Sequence, residues 1–275
     1  PSPIGWRSSD VANACRRAAL AGATFMSFAE KATPRAHLPP LSMAQVSQAA
    51  GLEPVVYYAC RGRRLVRMQT ELLGHCASGV NNVVLITGSP LSVGAEQDAW
   101  PDLEVDSIGA VNLAMRLNHG EDVGGNPIGD AANLAVGVRL EHSAYDTERE
   151  RSRVHWKVEA GAEFGVLTPT FDAQALQHYL ESTRASELPV IATIWPLTSV
   201  QEAEFFGQRS STVNVPPHLI ERMRAAEKRG REREEGLAIA LEVALAVREN
   251  VQGIQVVAPD GDIERALKLV KDLDA

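Results

Sequence analysis

No stretch of this chain approaches the roughly 18 consecutive apolar residues that a membrane-spanning helix needs. No signal peptide precedes the first predicted helix either, so the expectation is a soluble, cytoplasmic protein without a membrane partner. Cysteine is scarce. Cys15, Cys60 and Cys76 are an odd number, none in a CxxC pair, which suits reduced thiols and supplies no zinc motif or other metal site. Basic runs clear of acidic neighbours are also missing: 27 Lys and Arg against 35 Asp and Glu leave a net charge of −8. That balance argues against nucleic acid, while a small anionic ligand in a local basic pocket stays compatible. The chain holds no nucleophile elbow, P-loop, GxGxxG fingerprint, HExxH or EF-hand loop, so no single motif names a reaction.

What is present is a rhythm. The 275 residues, 45% hydrophobic, can bury a full core and fit one domain over 1–275. Val83 to Ile86 is a continuous apolar run that stops at Thr87-Gly-Ser-Pro90. A run apolar on both faces predicts a strand of a parallel sheet covered by helices. Gly88 allows a sharp turn or close approach of a ligand, and Pro90 ends the strand. In such folds ligands collect at the carboxyl ends of strands. Six further strands are predicted at 23–28, 54–60, 134–140, 164–167, 189–195 and 251–257. Helices alternate with them: from Ser8 or Ser9 (a capping serine) to Leu20, then 42–50, 65–78, 106–118, 146–160, 173–184, a helical region over 200–250 broken at Val215-Pro-Pro217, and 263–273. Seven strands after a leading helix suggest a (β/α)8 TIM-type barrel whose first strand lies upstream of Pro1. The long loop Leu91–Val105 has the length of a binding segment or lid.

Candidate chemistry is read at the strand ends. Glu30 is either a general acid or base or a solvated loop carboxylate. Ser89 either bonds a ligand or belongs to an ordinary turn. Thr168, Thr170 and Asp172 share one strand end, where Asp172 is favoured as the N-cap of the next helix. His142, with no ligand partner nearby in sequence, is assigned to the surface. Arg153 and Lys157 lie one helical turn apart and either share a phosphate or face water. The Arg61, Arg63 and Arg64 turn is read the same way. No residue is assigned a catalytic role.

Several segments together resemble the methylenetetrahydrofolate reductase family, most closely the reductase half of bacterial bifunctional homocysteine methyltransferase/reductase proteins. The matching pieces are Leu72-Leu73-Gly74 with Gly79-Val-Asn-Asn-Val-Val-Leu-Ile-Thr-Gly88, Val105-Asp-Ser-Ile-Gly109, Gly125-Asn-Pro-Ile-Gly129, Lys157-Val-Glu-Ala-Gly-Ala-Glu-Phe164, Phe171-Asp172, Ile194-Trp-Pro-Leu-Thr-Ser199 with Ala203-Glu-Phe205, and Val251-Gln-Gly-Ile-Gln255. They fall in family order over nearly the whole chain.

The resemblance implies a (β/α)8 barrel binding FAD at its strand ends, in which a hydride passes from NAD(P)H through the flavin to 5,10-methylenetetrahydrofolate. By the same resemblance Tyr57, Thr87, Gly88, Ser89, Asp106, Ser107, Arg153 and Lys157 are expected on the cofactor side. Ser89 and Thr168 are expected on the folate side, and Glu30, from its strand-end position, is placed there with them. Departures from the family pattern fall on the chemistry: the strand with the catalytic Glu is absent, Ser89 stands for the usual Asp, Thr168 for a Gln, and Tyr57 for a His. No Arg occurs in Ala258-Pro-Asp-Gly-Asp262, where one is expected. Positioned acid–base groups contribute about 10²–10⁴-fold each. The expectation is therefore a divergent reductase-like oxidoreductase of one-carbon metabolism. The alternatives are a non-redox folate-binding or methyl-transfer barrel, or a silent subunit of an active paralogue; a homo-oligomer is also compatible.

Overall fold

The structure, a computed structural model, describes residues 8–30, 36–88, 103–208 and 210–274. Seven strands alternate with helices: α1 Ser9–Leu20, β1 Phe25–Ala29, α2 Pro40–Ala49, β2 Glu53–Ala59, α3 Leu65–Ala77, β3 Asn82–Ile86, α4 Ser107–Asn118, β4 Ala135–Leu140, α5 Thr147–Glu159, β5 Phe164–Pro169, α6 Ala173–Ser182, β6 Val190–Ile194, α7 Val200–Gln208, α8 Pro217–Glu227, α9 Glu232–Val247, β7 Gly253–Val256 and α10 Ile263–Asp274. Strand order follows chain order from β1 to β7, and the paired strands described are parallel. Among the described residues this is the strand succession of a TIM-type α/β barrel with seven of its eight strands.

The chain divides into two compact units. The first comprises residues 1–138 and 156–163, the second 139–155 and 164–275. In the first, β1 to β4 pair in register with Phe28, Val56, Val83 and Val136 aligned, all buried. Successive side chains alternate between faces, so Tyr58 and Leu85 share this face. The Tyr58 hydroxyl reaches Glu71 on α3, which identifies it as the face covered by helix. Glycines with positive φ close α3 (Gly79) and α5 (Gly161).

In the second unit, β5, β6 and β7 pair in parallel, with a register irregularity between Val166 and Pro169. Helix α9 comes so close that a Cβ on Gly236 would overlap the Leu197 carbonyl. Only glycine allows that backbone contact.

Two local expectations need correction. Ser8 sits at the N-cap of α1 with helical backbone and no side-chain capping bond, because its φ of −95° and ψ of −4° do not turn the hydroxyl back onto the first turn. The helical region after Val200 breaks a second time, at residues 228–231, where Gly230 takes φ +66° between α8 and α9. The Leu91–Val105 loop lies largely, and Ser89 and Pro90 lie wholly, outside the described residues.

Candidate functional site

In the first unit the face opposite α3 carries Ala29, Tyr57, Ala59 and Ile86. Register pairs Ala29 with Tyr57 and Ala59 with Ile86. Burial falls toward the strand ends: Val55 and Val84 are buried, while Tyr57, Ala59 and Ile86 are half-buried and Ala29 is exposed. The result is a half-open, mostly apolar strip at the carboxyl ends of β1 to β3, the position at which parallel α/β folds bind ligands. Gly88 follows β3 with φ +87°, and an added Cβ would press on the Cβ atoms of Ala59 and Arg61 at 3.1 and 3.2 Å. The backbone there runs tight against the end of β2, with Arg61 N donating to Thr87 O (3.0 Å) and Arg61 Nε to Gly88 O (3.1 Å).

Glu30 stands directly after β1. Arg63 donates through Nη2 to Glu30 Oε2 (2.8 Å), through Nε to Glu71 Oε2 (2.9 Å) and through Nη1 to the Ala59 carbonyl (2.7 Å). Its guanidinium also lies 4.8 Å from the Tyr58 ring centroid. Of the basic turn, then, Arg63 meets an anionic group supplied by the chain itself, and Arg64 likewise meets Glu104 (2.9 Å). Burial pulls the Glu71 carboxyl up, but hydrogen bonds from Tyr58 and Arg67 and the Arg63 charge outweigh it and hold it below its usual value. Burial, with the Glu71 hydrogen bond and charge, pushes the Tyr58 hydroxyl well above its usual value. Cys60 is buried and its thiol is pushed up to about 12, mainly by burial, so it is an inert core residue.

The expected cofactor-side residues are placed as follows. Asp106 is the N-cap of α4, its Oδ1 accepting from Ile108 N (3.0 Å) and Gly109 N (3.1 Å). Thr87 Oγ1 accepts from Ser107 N (3.2 Å), and Ser107 is buried. Arg153 and Lys157 share one face of α5, but Lys157 is buried and Arg153 half-buried. Ser89 lies outside the described residues. Of this set, Thr87 and Asp106 hydrogen-bond the start of α4, and Ser107 and Lys157 are buried. Among the described residues no group of three or more His, Cys, Asp or Glu comes together as a metal site, and no helix is long and apolar enough to cross a membrane.

In the second unit the strand ends are lined by hydroxyls and aromatics. Thr168, expected on the folate side, is buried, and its Oγ1 donates to the Thr212 carbonyl (3.0 Å). Thr170 Oγ1 donates to the Thr168 carbonyl (3.3 Å). Asp172 caps α6 as predicted, accepting from Gln174 N and Ala175 N. Thr193 Oγ1 donates to Leu167 O and accepts from Gln255 Nε2, both at 2.6 Å, which ties β7 and β6 to the irregularity in β5. Beyond β5 and β6, Phe171, Trp195, Phe205 and Phe206 form one cluster with ring centroids 5.3 to 6.1 Å apart. Glu202 fixes the Trp195 indole, accepting from Nε1 at 3.0 Å.

His142 is not on the surface. It is 8% exposed, stands edge-on to Tyr179, and among the described residues neither ring nitrogen has a hydrogen-bond partner. The residue follows β4, and α6 supplies an aromatic ring that covers it. Burial pushes its pKa down to about 4, against the Asp172 charge.

Sequence reasoning missed Glu150, Gln255, Thr193 and the aromatic cluster. Glu150 had a signal: Glu150, Val154 and Lys157 fall at helical spacing and are all buried, so they form the inner stripe of α5. For Trp195 and the phenylalanines the motif around Ile194-Trp-Pro was visible, but its gathering with Phe171 depends on tertiary packing.

Comparison with known proteins places these features. The family model described as methylenetetrahydrofolate reductase matches residues 7–258. No curated protein sequence matches the chain. Among solved structures, one similar fold is a protein from Clostridium thermocellum, described as uncharacterized and as binding two copies of 5-methyl-5,6,7,8-tetrahydrofolic acid. Its TM-score is 0.66 at 13% identity, over 96% of this chain and 87% of that one. A long-chain alkane monooxygenase gives a TM-score of 0.57 at 11% identity, over 99% and 86%. A riboflavin lyase, solved with modified FMN and riboflavin, gives 0.52 at 10% identity, over 98% and 85%. At such identities the likeness concerns the fold.

Proposed function

The chain belongs to the methylenetetrahydrofolate reductase family, and we propose that it binds a tetrahydrofolate at the carboxyl ends of its strands as a protein of one-carbon metabolism. The observation that carries this reading is the family match over residues 7–258. Two features support it. One is the half-open, mostly apolar strip at Ala29, Tyr57, Ala59 and Ile86. The other is the cluster of Trp195 with three phenylalanines, since aromatic side chains stack on planar heterocycles. The structurally similar Clostridium thermocellum protein is described as a methyltetrahydrofolate binder, which agrees with this ligand class.

We favour folate binding without flavin-dependent turnover, because Ser89 and Tyr57 stand where the family pattern has an Asp and a His. The second reading, carried by family membership, is the reductase reaction: hydride from NAD(P)H, through FAD, to 5,10-methylenetetrahydrofolate. An absorbance spectrum of the purified protein, followed by an FAD titration and an anaerobic assay with NADH and NADPH, separates them. A colourless protein that takes up no FAD and oxidises neither nucleotide supports the first. Flavin bands with methylenetetrahydrofolate-dependent oxidation support the second and overturn the first.

A further inference from the structure

We propose that the corner between α7 and α8, at Ser211 and Thr212, is a latch closed over the carboxyl ends of β4 and β5, and that the ligand enters when it opens. The entry step rests on the folate reading above. One helix is enough to return the chain between neighbouring parallel strands, yet three join β6 to β7, and α9 is the one that packs back on β6. The additional pair leaves and returns at one place, since Val200 N at the start of α7 donates to Glu232 Oε1 at the start of α9 (2.9 Å). Between those points α7 lies on the aromatic cluster, with Phe206 against Trp195 and Phe171 and Glu202 on the Trp195 indole. The corner beyond it is fastened to strand ends. Ser211 O accepts from Tyr145 N, in the segment after β4 (3.1 Å), and Thr212 O from Thr168 Oγ1 on β5 (3.0 Å). Thr212 Oγ1 accepts from Arg139 Nη2 on β4 (3.3 Å). Ser210 Oγ shapes the corner, accepting from Thr212 N and Val213 N. Ser211 is exposed and Thr212 half-buried, so hydrogen bonds rather than core packing hold these two residues down. Arg222 ties α8 to α9 through Glu235 (2.8 Å) and Glu242 (2.6 Å), which confines the movement to the corner. Segments with few buried apolar contacts open at low free-energy cost, and such openings at an active-site mouth set the rate of ligand passage. The buried Thr168 hydroxyl is therefore a latch donor rather than a ligand contact.

Thr168→Val removes one latch bond and keeps the side-chain shape. A neutral hydrogen bond of this kind corresponds to about 2- to 10-fold in an opening equilibrium. Hydrogen exchange on the full chain is therefore expected to show the Tyr145 amide exchanging about 2- to 10-fold faster in Thr168→Val. Stopped-flow association of 5-methyltetrahydrofolate is expected to quicken by a similar factor. A second variant locks the latch: Tyr145 and Ser211 are both exposed and their backbones adjacent, so Tyr145→Cys with Ser211→Cys can be oxidised to a cross-link, verified by mass. The oxidised protein is expected to lose association and reduction to restore it, with wild type taken through the same oxidation as control; circular dichroism checks that each variant is folded. A cross-linked protein that associates as fast as its reduced form overturns the proposal and leaves the folate reading standing. Unchanged Tyr145 exchange in Thr168→Val does the same, as does weaker binding without faster exchange, which would make Thr168 a ligand contact. A wild type that binds no 5-methyltetrahydrofolate overturns the folate reading and the entry step together.

Discussion

His142 and Tyr179 meet edge to face, ring centroids 6.3 Å apart, and Tyr179 turns its hydroxyl away from the imidazole to Glu150 Oε1 at 3.0 Å. The histidine is thereby enclosed, without a hydrogen-bond partner among the described residues, and this has a consequence in acid. Its folded-state pKa is pushed down to about 4 from an ordinary 6.5, by burial and against Asp172. The unfolded chain takes the proton first, so stability is full above about pH 6.5 and falls as pH drops toward 4. The loss approaches an order of 3 kcal/mol. Urea denaturation between pH 7 and 4 measures it, and His142→Leu is expected to flatten the profile across that window.

Glu150 is buried and accepts both the Tyr179 hydroxyl and the Glu141 amide (2.9 Å) on the same oxygen. Glu150→Ala orphans two enclosed donors and is expected to cost roughly 2–5 kcal/mol. Tyr179→Phe removes one bond while keeping the ring, and is expected to cost about 1 kcal/mol. Equilibrium denaturation at pH 7 ranks the two; equal losses would contradict the shared-acceptor geometry.

Two helix glycines should respond in opposite directions. Gly74, inside α3, has open space where a Cβ would go, so Gly74→Ala is expected to stabilise by about 1 kcal/mol. Gly236→Ala drives a methyl group into the Leu197 carbonyl and is expected to destabilise by more than about 3 kcal/mol. Melting temperatures of the two variants show the sign of each directly.

At Gly88 both space and dihedral are restrictive: φ is +87° and the end of β2 lies in the way. Gly88→Ala is expected to cost about 1–3 kcal/mol and to weaken folate binding by displacing the end of β3 from Ala59 and Arg61. Denaturation with a parallel binding titration reads both; unchanged affinity in a destabilised variant would separate this turn from the site.

Much of the fold was legible in the sequence because its strands are short, continuously apolar and punctuated by Gly or Pro. Val83–Ile86 and Val190–Ile194 could be read from pattern alone. Asp172 was legible as a cap, since a carboxylate before a helical run has one common local use. The site was less so. Glu30 could be singled out, but its partner could not, because Arg63, itself held by Glu71, reaches it through tertiary packing. His142 carried no pattern marking it as buried, because its cover comes from Tyr179, far along the chain. Glu150 sits among charged neighbours in Thr147–Glu159, and only its helical phase with Val154 distinguishes it.

That this chain binds a tetrahydrofolate is the central claim. Titration calorimetry of the full chain with 5-methyltetrahydrofolate, under anaerobic conditions at neutral pH, tests it most directly. The predicted result is saturable binding with a Kd of roughly 1–100 μM, corresponding to about −8 to −5 kcal/mol. Absence of saturable heat up to millimolar ligand, from a protein shown to be folded, would contradict it.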